Sequence, residues 1–170
     1  MYEILIKRVA TIDDVMIYVV GGIGRASTEM AAYDSALADA NLHNYNLIRV
    51  SSVIPAHESV KIVESAPDLG SAGNQLTVVE AKIVCPPSHE GSVSAALAWA
   101  TGSDSGLFYE ASGSTHEHIR NEALEGLDHG CDFRGLKFDN RDSLVITAET
   151  KPKRYTAAVV LAAYGHSEPI

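Results

Sequence analysis

Apolar, β-branched runs and helix-patterned runs take turns along this chain, and that alternation narrows the folds open to it more than any single motif does. "VMIYVV" at 15–20, "YNLIRV" at 45–50 and "YTAAVVLAA" at 155–163 read as strands. Between the first two, "STEMAAYDSALADA" repeats Met30, Tyr33, Leu37 and Ala40 at helical spacing, with Ser27 as N-cap and Asn41 as stop. A strand–helix–strand order predicts a right-handed crossover that joins two parallel neighbours.

The rest of the chain continues the pattern. Strands are expected at 2–9, 60–64, 76–85, 106–112, 133–139 and 143–149, and "GGIGRAS" at 21–27 reads as a turn. A second helix is expected near 90–100, with Val93, Leu97 and Ala100 inward, and a third at 115–129, with Ile119, Ala123, Leu124 and Leu127 on one face. Many strands and three one-sided helices predict an α+β fold: a layered αββα-type sandwich of mixed sheets flanked by helices. With 170 residues, 46% of them hydrophobic and 21% charged, the chain suits a single domain over 1–170 with a full core.

Charge and cysteines remove several function classes. Twenty-two acidic against thirteen basic side chains give a net charge of −9, which repels phosphate backbones and anionic lipid and favours a small cationic substrate. The same acidity also suits salt adaptation or an ordinary solvated surface. Cys85 and Cys131 lie far apart and outside any C-x-x-C, which argues against a disulfide framework or a thiolate zinc site. No run approaches the ~20 apolar residues of a membrane span, so the expected location is the cytoplasm.

Three familiar motifs fail on inspection. Gly22-x-Gly24-x-x ends at Ser27, and the next strand ends in serine instead of a ribose-binding acid, so a dinucleotide site is incomplete. His116 and His118 would stand about 200° apart around a helix, on different faces, which leaves no metal site. "GSDSG" at 102–106 has Asp104 where a hydrolase elbow needs serine.

The Ser51-Ser52 pair ends the strand at 45–50 and precedes "VIP". Two serines there can simply satisfy loose backbone groups. They can also do chemistry. If the Ser52 hydroxyl adds to the carbonyl of Ser51, the peptide becomes an ester, given a strained strand end and donors for the oxyanion. Elimination then cuts the chain, and the new N-terminal residue loses ammonia to leave a pyruvoyl ketone.

"AYDSALADANLHNYNLIRVSSVIP" at 32–55 resembles the pyruvoyl-dependent arginine decarboxylases, which cleave themselves between two such serines after an "N-L-I-x-x" strand. "EGSVSAALAWA" at 90–100, "GLFYEASG" at 106–113, "HGCDFRGLKFD" at 129–139 and "AAVVLAAYG" at 157–165 are similar to the same family in order and spacing. The resemblance covers most of the chain. It is weaker at 21–29 and 64–75, and Ala111-Ser112 depart from the polar surroundings expected after Glu110.

That resemblance implies cleavage between 51 and 52 into chains 1–51 and 52–170, with Ser52 becoming a covalent pyruvoyl cofactor. It implies a Schiff base with L-arginine, release of carbon dioxide and formation of agmatine, in polyamine synthesis or acid tolerance. Glu110 matches the family's proton donor, which calls for an apolar setting that Leu107, Phe108 or Tyr109 would supply. Asp34 matches the carboxylate that grips the guanidinium, Asn46 matches an asparagine of the cleavage region, and Leu37 lines an aliphatic slot or is core. A homotrimer or a dimer of trimers, with sites between protomers, is implied as well. Two alternatives stay open: a family member that never matures and serves as scaffold, and a pyruvoyl decarboxylase for another amino acid.

Overall fold

The computed structural model describes residues 16–170. The strand expected at 2–9 lies outside the described residues. From Met16 onward the order is β1 (Met16–Ala26), α1 (Glu29–Asp39), β2 (Asn46–Arg49), β3 (Val53–Ile54), β4 (Ser59–Ile62) and β5 (Gln75–Cys85). There follow β6 (Ser92–Thr101), β7 (Gly106–Gly113), α2 (His116–Arg134), β8 (Asn140–Glu149) and β9 (Tyr155–Glu168).

Two sheets stack face to face. The first is five-stranded and mixed, in the order β2-β5-β9-β1-β4; the second is four-stranded and antiparallel, in the order β3-β7-β6-β8. Helix α1 covers β1 and β9 on the outside of the first sheet, and α2 covers β6, β7 and β8 on the outside of the second. The result is the αββα sandwich expected from the sequence, with one sheet mixed and the other purely antiparallel.

Helix α1 does connect two strands that run the same way, but they are not neighbours. β5 and β9 stand between β1 and β2, because β9 pairs antiparallel with both β1 and β5 while β2 pairs parallel with β5.

The expected turn at 21–27 is mostly strand. β1 continues through "GGIGRA", and a Cβ on Gly22 or Gly24 would overlap the backbone carbonyl of Ala36 or Ala32 in α1. These glycines are bare so that a helix can sit directly on the strand. The buried face of α1 accordingly consists of Ala32, Ala36 and Leu37, continued by Ala40, while Met30 is 73% exposed. Thr28, not Ser27, is the N-cap and accepts from the Ala31 N–H; Asn41 ends the helix at φ 61°.

The expected helix at 90–100 is strand β6. It is buried on both faces, so apolar residues run through it without polar alternation. Its alternation is one of size. Val93, Ala95, Leu97 and Trp99 face the space between the sheets, while Ala96, Ala98 and Ala100 face α2. The strand expected at 133–139 is instead the last turn of α2 and an irregular segment. Gly135 stops that helix in the left-handed region at φ 62°, and Phe133 is left 78% exposed.

Candidate active site

The serine pair sits where the chain changes sheets. Upstream, β2 pairs with β5, and the Val50 N–H donates to the Val78 carbonyl at 3.0 Å, extending the first sheet by one residue. Downstream, Val53 opposes Leu107 in the second sheet, and the Phe108 N–H donates to the Ser52 carbonyl at 2.7 Å. Ser51 and Ser52 therefore bridge the two layers at one edge of the sandwich. The Ser51 carbonyl accepts from the Val53 N–H at 3.0 Å, a tight three-residue turn around Ser52.

Ser52 is half-buried, and its hydroxyl donates to Glu110 Oε2 at 3.2 Å. Two residues 58 positions apart in sequence are brought together by the pairing of β3 with β7. Strand alternation decides the surroundings of Glu110. Phe108 shares its face and packs into the inter-sheet core, with its ring centroid 6.1 Å from that of Trp99. Leu107 and Tyr109 point the other way, toward α2. In the single chain Glu110 is exposed, so the apolar enclosure expected for it is only partly present.

A cleft of about 460 Å³ opens beside Glu110 and Ser112 and runs past Ala81 to Arg49, Glu80 and Lys82. It lies along the stretches of β5 and β7 that extend beyond their short edge partners β2 and β3. A second cleft of about 400 Å³, beside β4 and β8, contains Trp99 and Arg141 and neither serine.

The other expected site residues are placed differently. Asp34 is exposed on α1, without a hydrogen-bond or ion-pair partner among the described residues. Its neighbour Tyr33 turns inward toward β5. Leu37 is buried in the core between α1 and the first sheet. The Asn46 side-chain amide donates to the Gly73 carbonyl at 2.6 Å, at the end of β2 away from the serines, and so braces the 70–74 loop.

Sequence reasoning missed a charged cluster on the outer face of β5. The Glu80 side chain, only 2% exposed, accepts from the Tyr33 hydroxyl and lies 2.5 Å from Arg49 Nε and 3.7 Å from Lys82 Nζ. Arg49 also donates to the Tyr33 oxygen at 3.4 Å, and the Lys82 ammonium stands 4.2 Å from the centre of the Tyr33 ring. Burial and the hydrogen bond to Glu80 push the Tyr33 hydroxyl up to about 12. The signal was present in "LTVVEAKIVC": a glutamate inside an apolar strand needs a partner. Also missed was Tyr164 of β9, whose hydroxyl donates to the Val53 carbonyl at 3.2 Å and whose own ionisation is pushed up by burial and by Glu58.

No helix among the described residues is long and apolar enough to cross a membrane, and both cysteines are free and buried.

The sequence comparisons agree with one another. The model of the pyruvoyl-dependent arginine decarboxylase family matches residues 16–169. A Halobacterium salinarum protein of that name is 50% identical over 151 residues, covering 88% of this chain and 93% of its own. Proteins of the same name from Thermococcus sibiricus and Methanothermobacter thermautotrophicus are similar at lower identity. The first is 31% identical over 142 residues (81% and 89% of the two chains) and the second 33% over 121 residues (70% and 77%). The chain belongs to the pyruvoyl-dependent arginine decarboxylase family.

Proposed function

We propose that this chain is a self-processing lyase that converts L-arginine to agmatine and carbon dioxide, and that Ser52 is both the nucleophile of its maturation and the source of its cofactor. The observation that carries the reading is the Ser52–Glu110 hydrogen bond at the crossing between the sheets. It joins the two residues that the chemistry needs most.

In maturation, the Ser52 hydroxyl attacks the Ser51 carbonyl and forms an ester as the peptide nitrogen is released. Elimination breaks the Ser52 Cβ–Oγ bond, leaving Ser51 as a carboxylate and residue 52 as dehydroalanine. Water then enters and ammonia leaves. The Val53 N–H, already on the Ser51 carbonyl oxygen, is positioned to support negative charge developing there. The hydrogen bond to Glu110 orients the hydroxyl, and the Phe108 N–H keeps the Ser52 carbonyl in place throughout.

The resulting group fits this site. It is no bulkier than the serine it replaces, and its amide carbonyl would be held by the Phe108 N–H, which in the unmodified chain donates to the Ser52 carbonyl at 2.7 Å. Once formed, it supplies an electron sink for the pair released when carbon dioxide departs. Glu110 then returns a proton to the substrate carbon. An adjoining protomer covering the exposed edge at β5 and β7 would take its carboxyl out of water and close the site around it. Asp34, exposed and without a partner among the described residues, is the ligand for a guanidinium, reached across such a protomer contact in a trimer or a pair of trimers. The cleft beside Glu110 has room for an amino acid, and the protein's net charge of −9 draws in a cationic one. The cytoplasm is the compartment proposed for this reaction.

Intact-mass spectrometry of the purified protein tests the reading. Two polypeptides are expected, 1–51 and 52–170, whose summed mass differs from the unbroken chain by one water gained and one ammonia lost. A single unbroken mass after prolonged incubation would support the non-maturing scaffold instead.

A further inference from the structure

We propose that the Arg49–Glu80 pair is a positioning device for self-cleavage, which locks the end of β2 so that the Ser51–Ser52 peptide stays within reach of the Ser52 hydroxyl. The inference rests on the reading of Ser52 as the nucleophile and extends it to residues that touch neither serine.

Three observations carry it. Arg49 is the last residue of β2 and lies two positions before Ser51, so its side chain is the final side-chain anchor before the chain leaves the first sheet. Its partner is a buried carboxylate fixed from three sides, by Tyr33 of α1, by Arg49 and by Lys82. A carboxylate buried with partners on separate elements ties those elements to one geometry. Finally, the far side of the serine pair is held independently, by the Phe108 N–H on the Ser52 carbonyl and the Tyr164 hydroxyl on the Val53 carbonyl.

The scissile peptide is thus suspended between the Arg49 clamp and the Val50–Val78 backbone bond upstream and the Phe108 N–H and Tyr164 hydroxyl downstream. Each residue of extended chain spans at most ~3.6 Å, and a single backbone bond, at Val50, lies between position 49 and the Ser51 carbonyl, so slack at Arg49 displaces the scissile peptide. A misplacement of about 1 Å can cost a reaction about 10²-fold in rate. Arginine suits the task because its planar fork reaches Glu80 and the Tyr33 oxygen together, whereas lysine offers a point charge. Removing Arg49 leaves Glu80 with Tyr33 and Lys82, so the fold survives the test.

The experiment follows the appearance of the two fragments by mass in freshly synthesised wild-type, R49Q, R49K, E80Q and R49Q/E80Q proteins, with thermal melting recorded in parallel. R49Q and E80Q are expected to slow cleavage by about tenfold to 10²-fold. R49K should recover part of the rate, and the double variant should be no slower than the slower single one, because both changes break one clamp. Cleavage of R49Q and E80Q at the wild-type rate overturns the proposal, as do slowdowns that multiply in the double variant. A wild-type chain that never cleaves sinks the nucleophile reading along with the clamp. A wild-type chain that cleaves beside unaffected variants sinks the clamp alone.

Discussion

The residues before the serine pair and those after it make unequal contributions to this molecule. Upstream of Ser52 the described chain supplies β1, α1 and β2, all in the first sheet and its covering helix; the downstream part supplies every strand of the second sheet, plus β4, β5 and β9 of the first. Among the described residues, no upstream strand pairs with another upstream strand. β1 lies between β9 and β4, and β2 lies against β5. A cut at Ser51–Ser52 would therefore sever one covalent link while leaving the ladders and the core between α1 and the sheet to hold the pieces together. The residues proposed for the chemistry are divided along the same line. Ser52 and Glu110 belong to the downstream part, whereas Asp34, Tyr33 and Arg49 belong to the upstream part.

The sharpest way to break this comparison is Ser52→Ala. The variant should remain one polypeptide, keep the wild-type fold and elution volume, and lose all decarboxylation. Wild-type protein should elute at that same volume but separate into two bands on a denaturing gel. Fragments from Ser52→Ala would end the nucleophile assignment, and fragments of wild-type protein that drift apart under native conditions would refute the claim that the ladders and the core hold them.

Glu110→Gln tests the downstream half next. Glutamine keeps an oxygen acceptor for Ser52, so maturation should proceed, while loss of the proton donor should lower kcat by about 10²- to 10⁴-fold. Asp34→Ala tests the upstream half by steady-state kinetics. Its expected signature is a raised KM for arginine by about 10²-fold, the scale of one lost charge-assisted contact of ~3 kcal/mol, with a smaller change in kcat. Unchanged kinetics in either variant would remove that residue from the site.

The smallest effect is spectroscopic. Of seven tyrosines, Tyr33 should resist alkaline titration and ionise at about 12. Because its folded value lies above the unfolded one, the contribution to stability is fully present below pH ~10 and is lost as pH rises through about 12. Glu80→Gln should bring that titration down, because the carboxylate hydrogen-bonded to the tyrosine raises it. A tyrosine absorbance curve with no late component would contradict the buried cluster.

Legibility from sequence followed physical locality. Strands β1, β2, β4, β5, β7, β8 and β9 and helices α1 and α2 were visible because their composition or periodicity is local. β6 was misread because a strand sandwiched between a sheet and a helix loses polar alternation, and its alanines imitate a helix former. The face of α1 was misjudged for a related reason. Large residues mark the hydrophobic stripe in a linear reading, but a helix lying on bare glycines is buried through its smallest side chains. The contacts of Asn46 and Leu37 were not legible either: Asn46 donates to the carbonyl of Gly73, 27 positions away, and Leu37 packs in the core beside α1.

The sequence by itself determined that two hydroxyls stand adjacent at the end of a strand, that an acid follows in "GLFYEASG", and that the chain builds layers of sheet and helix. Those are properties of neighbouring residues and of local periodicity. Only the tertiary structure decided that the serines bridge two sheets, that Ser52 meets Glu110, and that a buried glutamate grips the arginine just upstream. Each of these depends on which strands lie side by side. Strand order is set by the packing of whole faces, which no short window of sequence contains.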